Sequence, residues 1–196
     1  MTGTNNQDFK NEIFTLPNIL VYIRILLIPV FVLLYINAED NPAYYNVALA
    51  VLVIAFLTDF FDGKIARKFN CVTDLGKTID PIADKLYQFS VALCLMFSYP
   101  KMISVAIILF VKEISMGIMG LVLLGKGGKI FGARWYGKLS TAFCDITMVI
   151  LFVLPMLGFD VNPYFADILI ICSDVLLIFA SVLYTRLFAI KIKELD

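Results

Sequence analysis

The chain has 196 residues, of which 61% are hydrophobic and 16% charged, and its net charge is zero. Soluble domains are about half apolar and about a quarter charged, so this composition is that of a polytopic membrane protein. The balanced charge gives no indication of a nucleic-acid partner. The absence of histidine excludes the commonest general base and the commonest zinc ligand.

The elements predicted along the chain are six membrane-spanning helices. Residues 1–14 are polar and lack the form of a signal peptide, and residues 15–196 are predicted to form one six-helix domain. A helix needs about 20 mainly apolar residues to cross the hydrocarbon of a bilayer. Six segments meet this need, at residues 18–36, 45–61, 82–97, 103–124, 139–157 and 165–190. The predicted fold class is therefore an all-α integral membrane protein with six transmembrane helices.

Positive charge distinguishes the two sides of these spans. With six spans both termini lie on one side, together with the basic links at residues 64–77 and 126–138. The loops on the other side, "NAEDNP", "SYPK" and "LGFDVNP", contain one cation, Lys101. Because cytoplasmic loops are enriched in Lys and Arg, both termini are predicted to face the cytoplasm, in a cytoplasmic-membrane protein.

Residues 58–85, "TDFFDGKIARKFNCVTDLGKTIDPIADK", contain five aspartates beside spans that are otherwise apolar. Asp59 and Asp62 share a helix face at the end of the second span, and Asp80 and Asp84 share one at the start of the third. The segment "KFNCVTDLG" between them is predicted to be a polar link that ends in a turn at Gly76. Four carboxylates are therefore expected to converge in a cytoplasm-facing polar cavity.

Four carboxylates at one depth would repel one another and lose hydration unless cations neutralised them. Mg²⁺ and Mn²⁺ prefer carboxylate oxygens, and two such ions would balance four negative charges. Paired metals also promote displacement at phosphorus. Gly63 and Gly76 allow close backbone approach, and Arg67 offers a planar fork to a phosphate. The stretch therefore predicts a two-metal site for phosphoryl chemistry.

The spacing D-x2-D-G-x2-A-R-x8-G-x3-D-x3-D, complete between Asp59 and Asp84, resembles the signature of the CDP-alcohol phosphatidyltransferase family. The first span, "LPNILVYIRILLIPVFVLL", also resembles that of bacterial members, and the likeness covers nearly the whole chain. The resemblance implies a six-span fold, a homodimer surrounded by membrane lipids, and transfer of a phosphatidyl group from CDP-diacylglycerol to an alcohol with release of CMP.

The resemblance also implies roles for the motif residues. Asp59, Asp62 and Asp80 would bind two Mg²⁺ or Mn²⁺ ions. Asp84 would be the general base that takes the proton of the attacking hydroxyl, and it would also contact a metal. Asp74 lies outside the motif and is interpreted as a cap of the turn that follows it, without a catalytic role. The residues implied to bind the CDP group are Asp62, Gly63, Ala66, Arg67 and Gly76.

Polar residues outside the motif are candidates for binding the acceptor alcohol, because a phosphate on the acceptor requires cations and an ionisable residue within a span is a functional candidate. For Lys112 the alternative is an internal ion pair with Glu113. For Arg24 and Lys138 the alternative is extension of the side chain to the lipid headgroups. The predicted acceptor-binding residues are Asn18, Arg24, Lys85, Lys112 and Lys138.

Two acceptor alcohols stay open. The first span and "DGKIARKFNCVTDLGKTIDPIADK" most resemble the branch that uses glycerol 3-phosphate, which we therefore prefer. In that branch the fourth span carries an Arg-Glu-Ile-like step and the fifth opens with "GKxKT", whereas this chain has "KEI" and "GKLST". Ser140 thus replaces a lysine, and a glutamine that often follows is absent near Cys144. These departures leave phosphatidylglycerol, the acceptor of a cardiolipin synthase, as the alternative.

A transporter of divalent cations or polar solutes is the alternative from another class, because carboxylates within spans, such as Asp145 and Asp174, often mark ion pathways. The motif acids cluster at one membrane face, however, and the sequence contains no inverted repeat or pair of broken spans. Asp145 and Asp174 are expected to face the bundle interior or a dimer contact. Asp167 is expected at the outer interface.

Overall fold

The computed structural model describes residues 15–38, 41, 43–68, 74–129, 131–132 and 134–195, with side chains described except at 16, 17, 56, 59–68 and 74–78. Within these residues the regular structure is entirely α-helical. The six helices are α1 (Leu16–Ile36), α2 (Ala43–Lys68), α3 (Asp74–Ser98), α4 (Met102–Gly125), α5 (Trp135–Met156) and α6 (Pro163–Lys193). The predicted all-α class is confirmed over this part of the chain.

Local sequence explains where several helices begin and end. Asn162 caps α6, because its side-chain oxygen accepts a hydrogen bond from the backbone N–H of Tyr164 at 2.9 Å. Pro163 follows in the first turn, where a missing N–H costs little. Helices α4 and α5 are each followed by a glycine in the left-handed conformation, Gly127 at φ 79° and Gly158 at φ 80°. Glycine adopts this conformation without steric cost, so both helices stop there.

The start of α3 corrects one prediction. The predicted turn at Gly76 is wrong, because α3 begins at Asp74 and includes Gly76. Residues 69–73 of the predicted polar link lie outside the described residues. Leu75, Ile79 and Ala83 recur at intervals of four residues, so an apolar stripe at helical spacing continues into the polar stretch. An acidic residue is also favourable at a helix N-terminus. Asp74 is therefore the first residue of a helix and does not cap a turn.

Several helices are long and apolar enough to cross a membrane. Large apolar side chains on them are exposed in the single chain, such as Leu26 at 68% and Leu121 at 71%. Such exposure is unfavourable in water and suits contact with lipid tails, so the chain is a multi-pass membrane protein. Helix α2 is apolar over Ala43–Ala55, and membrane crossing by α2 and α3 stays a prediction. Among the described residues, the four candidate spans are Asn18–Ile36, Met102–Gly125, Trp135–Met156 and Pro163–Lys193.

The chain divides into two compact units between Cys94 and Leu95. In the first unit α1 packs along α2, and the ring of Phe31 on α1 lies 6.2 Å from that of Tyr87 on α3. In the second unit α6 packs against both α4 and α5. Each unit therefore has a packed core of its own, and the carboxylate motif belongs to the first.

Close packing of α5 on α6 depends on Gly137. The buried ring of Tyr184 packs with Leu123 and Phe188, and its hydroxyl accepts a hydrogen bond from the backbone N–H of Arg134 at 2.8 Å. A Cβ atom on Gly137 would stand 2.3 Å from that hydroxyl oxygen and 2.6 Å from a ring carbon. The two helices can approach this closely because residue 137 has no side chain.

The variant Gly137→Ala is expected to have a lower melting temperature than the wild-type protein in detergent. The added methyl group has to displace the Tyr184 ring, and overpacking of this kind typically costs about 1–3 kcal/mol. Gly117→Ala on α4 is the matched control, because its Cβ position has nothing within 4 Å and alanine is the better helix former. A melting temperature for Gly137→Ala at or above that of Gly117→Ala would contradict this packing.

Candidate active site

The carboxylate motif lies on α2 and α3, on either side of residues 69–73. Asp80 and Asp84, four residues apart on α3, are the two motif acids whose side chains are described. The roles of the other motif residues stay predictions, because their side chains lie outside the described residues. These are Asp59, Asp62, Gly63, Ala66 and Arg67 on α2 and Gly76 on α3.

Asp80 and Asp84 meet at a single nitrogen atom of Arg24. Nη1 of Arg24 donates a hydrogen bond to Oδ1 of Asp80 at 3.1 Å and another to Oδ1 of Asp84. The Arg24 side chain is 2% exposed, whereas those of Asp80 and Asp84 are 40% and 46% exposed. The guanidinium therefore lies behind the two carboxylates, and the carboxylates keep a side that is open to solvent.

A second contact fixes the register of α1 against α3. The rings of Phe31 and Tyr87 lie 6.2 Å apart, seven residues after Arg24 and Asp80 respectively. Because both helices advance by the same seven residues between the two contacts, they run parallel here, with the contacts about 10 Å apart along the axes. The Tyr87 hydroxyl also donates to the backbone carbonyl of Leu52 on α2 at 3.3 Å. Packing of three helices thus places the acids over Arg24.

The two described carboxylates fit a hard divalent cation. Both Oδ1 atoms lie within hydrogen-bonding reach of one nitrogen, so the carboxylates converge on a point that already holds a positive charge. Mg²⁺ and Mn²⁺ take carboxylate oxygens as ligands, and each aspartate has a second oxygen beyond the one bound to Arg24. No three potential metal ligands converge among the described side chains, a set that excludes Asp59 and Asp62.

The predicted acceptor-binding residues are divided between the two units. On α1, Asn18 and Arg24 are buried, and on α3 Lys85 is half-buried. In the second unit Lys112 is buried on α4 and Lys138 is exposed on α5. The alternative that Arg24 extends to the headgroups does not apply, because its side chain is buried against carboxylates. For Lys138 that alternative stays open.

Lys112 forms the internal ion pair that was the alternative to acceptor binding, and it also lines a cavity. Its Nζ lies 2.9 Å from Oε1 of Glu113, and its side chain is 4% exposed. The cavity has a volume of about 300 Å³ and lies between α4 and α6, with Arg186, Ser115 and Thr185 also in its wall. Arg186 was not among the predicted site residues. The available signal was the polar series Ser181, Thr185 and Arg186 in the C-terminal half of α6.

Two further acids of α6 have partners in the second unit. Oδ2 of Asp174 accepts a hydrogen bond from the Ser104 hydroxyl at 2.6 Å, and Oδ2 of Asp167 lies 2.6 Å from Nζ of Lys101. Asp145 on α5 is exposed in the single chain. The contacts of Asp167 and Asp174 connect α6 to α4 and to the residue before it, so these two acids have a structural role.

Residues 14–189 match the CDP-alcohol phosphatidyltransferase family. The chain belongs to this family. The prediction made from the motif is therefore confirmed, and the transporter alternative is set aside. The matched region includes all six helices up to residue 189 of α6 and every motif residue from Asp59 to Asp84.

Relatives of known name differ in the acceptor that their names imply. The chain is 34% identical over 152 residues to the probable phosphatidylglycerophosphate synthase of Mycobacterium tuberculosis, covering 76% of this chain and 70% of that protein. It is 33% identical over 167 residues to the CDP-diacylglycerol–glycerol-3-phosphate 3-phosphatidyltransferase of Bacillus subtilis, covering 79% and 85%. It is also 30% identical over 132 residues to the CMP-forming cardiolipin synthase of Streptomyces coelicolor, covering 67% and 61%.

Proposed function

We propose that this phosphatidyltransferase transfers the phosphatidyl group of CDP-diacylglycerol to sn-glycerol 3-phosphate, forming phosphatidylglycerophosphate and CMP in phospholipid biosynthesis. The observation that carries the proposal is the similarity to the B. subtilis relative, whose name gives this reaction, over 79% of the chain. The convergence of Asp80 and Asp84 at one point supports it, because the reaction needs a carboxylate base beside a cation site.

The reaction forms one phosphorus–oxygen bond and breaks another. The 1-hydroxyl oxygen of glycerol 3-phosphate attacks the phosphorus that carries diacylglycerol, and the bond from that phosphorus to CMP breaks. The hydroxyl proton passes to the carboxylate of Asp84, and CMP leaves with the electron pair of the broken bond. Two Mg²⁺ or Mn²⁺ ions, held by Asp59, Asp62, Asp80 and Asp84, would supply neutralisation of the pyrophosphate charge.

Binding of the CDP group is assigned to one of the motif acids, three small residues and one arginine on α2 and α3. Glycine and alanine allow the nucleotide to approach the helix backbone closely, and a guanidinium pairs with phosphate oxygens through two parallel hydrogen bonds. The helix positions support the assignment, because these residues lie on the same two helices as the four acids. The residues are Asp62, Gly63, Ala66, Arg67 and Gly76.

The cavity between α4 and α6 is proposed to hold the phosphate of glycerol 3-phosphate. Lys112 and Arg186 line it beside apolar side chains, and Ser115 adds a hydroxyl group. The Thr185 hydroxyl is used within α6, where it donates to the backbone carbonyl of Ser181 at 2.9 Å. The charge of Lys112 is balanced by Glu113 at 2.9 Å, so Arg186 supplies the net positive charge of the cavity. Its planar fork is suited to bidentate contact with phosphate.

The variant Arg186→Gln is expected to raise the KM for glycerol 3-phosphate by about tenfold or more, with a smaller change in kcat. A hydrogen bond to a charged group contributes about 1.5–3 kcal/mol, and about 1.4 kcal/mol corresponds to tenfold. Lys191→Gln is the matched control on the same helix, since Lys191 pairs with Glu194 at 2.9 Å on the exposed surface. Equal KM values for the two variants, measured by CMP release, would contradict the assignment of the cavity.

A cardiolipin synthase is the second candidate function, and the similarity to the S. coelicolor relative favours it. Ser140 stands where the glycerol-3-phosphate branch carries a lysine. It is 1% exposed, and its hydroxyl donates to the backbone carbonyl of Gly137 at 3.0 Å. The hydroxyl is therefore used within α5 and does not replace the lysine as a phosphate ligand. The acceptor would then be phosphatidylglycerol.

An acceptor screen tests the proposed function. Protein purified in detergent is mixed with CDP-diacylglycerol, Mg²⁺ and one acceptor at a time, namely glycerol 3-phosphate, phosphatidylglycerol, serine or inositol phosphate. CMP release is expected with glycerol 3-phosphate and with none of the other three acceptors. Release with phosphatidylglycerol alone would establish the cardiolipin synthase instead, and the lack of CMP with every acceptor would contradict phosphatidyl transfer.

The enzyme is assigned to the cytoplasmic membrane, with both termini and the active site on the cytoplasmic side. The distribution of Lys and Arg between the two sides supports this orientation. The homodimer implied by the family resemblance stays a prediction.

A further inference from the structure

Arg24 is a buried cation in contact with the motif carboxylates of α3. The residue is 1% exposed, and its Nη1 donates to Asp80 at 3.1 Å and to Asp84. We propose that Arg24 is a positioning residue that holds Asp80 and Asp84 in the arrangement that binds the divalent cations. The inference rests on the proposed function, since it concerns the metal centre of that reaction.

The charges of the cluster explain why the carboxylates need Arg24. A buried guanidinium is unfavourable unless anions compensate it, and two carboxylates facing each other repel unless a cation lies between them. Among these three side chains, the single positive charge of Arg24 faces the two negative charges of Asp80 and Asp84, so a net negative charge remains. The cluster can therefore exist before metal binds and still attract a cation. Without Arg24, repulsion would turn the two carboxylates away from each other toward solvent.

Arg24 and an incoming cation reach the carboxylates from different sides. Arg24 is buried, whereas Asp80 and Asp84 are each almost half-exposed, so a hydrated cation arrives from the solvent side. Each carboxylate can keep one oxygen on Arg24 and offer the other to the cation. Arg24 therefore does not have to move for the metal to bind. Partners that orient metal ligands in this way typically account for about 10–100-fold in metal affinity.

The same geometry separates this role from direct binding of the acceptor. The contact of Phe31 with Tyr87, seven residues further along both helices, holds Arg24 in register beneath the acids. A buried guanidinium whose Nη1 is bound to two carboxylates is poorly placed to receive a phosphate from solvent. Arg24 is thus expected to affect the metal requirement of the enzyme and to have little effect on the KM for glycerol 3-phosphate.

Binding of Mn²⁺ to purified protein, measured by the electron paramagnetic resonance signal of the free ion, tests the inference without any turnover. Arg24→Gln is expected to weaken Mn²⁺ binding by about 10–100-fold. Arg24→Lys is expected to stay within about threefold of wild type, because Nη1 alone donates the hydrogen bonds described to Asp80 and Asp84, and an ammonium group can donate both. Tyr87→Phe, which loses the hydrogen bond to Leu52 on α2, is the control for loosening of α3 and is expected to bind Mn²⁺ normally.

Kinetics provide the second measurement. Arg24→Gln is expected to require more Mg²⁺ for half-maximal CMP release, with the KM for glycerol 3-phosphate at saturating Mg²⁺ within about threefold of wild type.

Unchanged or tighter Mn²⁺ binding by Arg24→Gln would overturn the inference, and so would a tenfold rise in the KM for glycerol 3-phosphate. If Arg24→Gln does not fold, Arg24→Lys decides, because a tenfold loss of Mn²⁺ affinity in folded Arg24→Lys contradicts the inference and retained affinity supports it. Failure of the wild-type enzyme to release CMP would overturn the proposed function alone, since Mn²⁺ binding is measured separately.

Discussion

Asp84→Asn is expected to abolish phosphatidyl transfer while binding of CDP-diacylglycerol largely persists and Mn²⁺ binding falls much less than turnover. An amide cannot accept the proton of the attacking hydroxyl, and a general base contributes about 10²–10⁴-fold to a rate. The asparagine side chain has the same shape as aspartate, and its amide oxygen can still bind a metal ion. Binding of CDP-diacylglycerol and Mn²⁺ is therefore affected less than turnover. CMP release measures the first effect, and Mn²⁺ titration of the purified variant measures the second.

Asp167→Asn is the matched control for this substitution. It makes the same chemical change in an acid that pairs with Lys101 at 2.6 Å in the second unit, outside the motif. Its turnover is expected to stay close to that of the wild-type enzyme. Near-normal CMP release by Asp84→Asn would refute the general-base role. Loss of release in both variants would show that the assay responds to destabilisation and not to the base.

Removal of divalent metal is expected to reduce CMP release to background, and addition of Mg²⁺ or Mn²⁺ is expected to restore it. Two like charges about 4 Å apart repel by about 4 kcal/mol at the effective dielectric constant of a protein surface. Four motif acids and a pyrophosphate cannot share a site without cations to offset this repulsion. The measurement is CMP release after treatment with a chelator and dialysis, with the metal content of the protein determined in parallel.

Mock dialysis without the chelator is the control for loss of protein during the treatment. The chelated and mock-treated samples are expected to reach the same rate once Mg²⁺ is returned. Full turnover in a sample shown to contain no divalent metal would contradict the proposed metal centre. Failure of the chelated sample to recover, with full activity in the mock-treated one, would mean that metal removal unfolds the protein irreversibly.

The helices most accurately predicted from the sequence are those with strongly apolar spans. For α1 the span predicted at residues 18–36 lies within Leu16–Ile36, and for α4 the span predicted at 103–124 lies within Met102–Gly125. The predicted start of α3 was wrong, because the helix begins at Asp74, eight residues before the predicted span at 82–97. Hydropathy alone rejects such a segment, whereas the spacing of Leu75, Ile79 and Ala83 identifies it as a helix.

The acids of the site were predictable and their partner was not. Asp80 and Asp84 are four residues apart, so helical geometry alone places them on one face. Their contact with Arg24 spans 56 and 60 residues, and it depends on the register of α1 against α3, which packing of aromatic side chains determines. The sequence identified Arg24 as an in-span cation with two interpretations, acceptor binding and extension to the headgroups, and neither of them included a carboxylate partner.

Lys112 and Arg186 show a second limit of sequence patterns. A lysine next to a glutamate within a span predicts either an ion pair or a binding site, and the structure contains both the ion pair and a cavity. Arg186 lies near the C-terminal end of α6, on the side where positive charge is expected, so its place in the sequence does not distinguish it as a binding residue. Only the packing of α4 against α6 brings these two cations to one cavity.

The measurement that tests the central claim most directly follows the oxygen atom of the acceptor. The enzyme is incubated with CDP-diacylglycerol, Mg²⁺ and glycerol 3-phosphate labelled with oxygen-18 in its 1-hydroxyl group, and both products are analysed by mass spectrometry. Attack of this hydroxyl on the phosphorus that carries diacylglycerol predicts labelled phosphatidylglycerophosphate and unlabelled CMP. Phosphatidic acid as the lipid product, or label in CMP, would contradict the account.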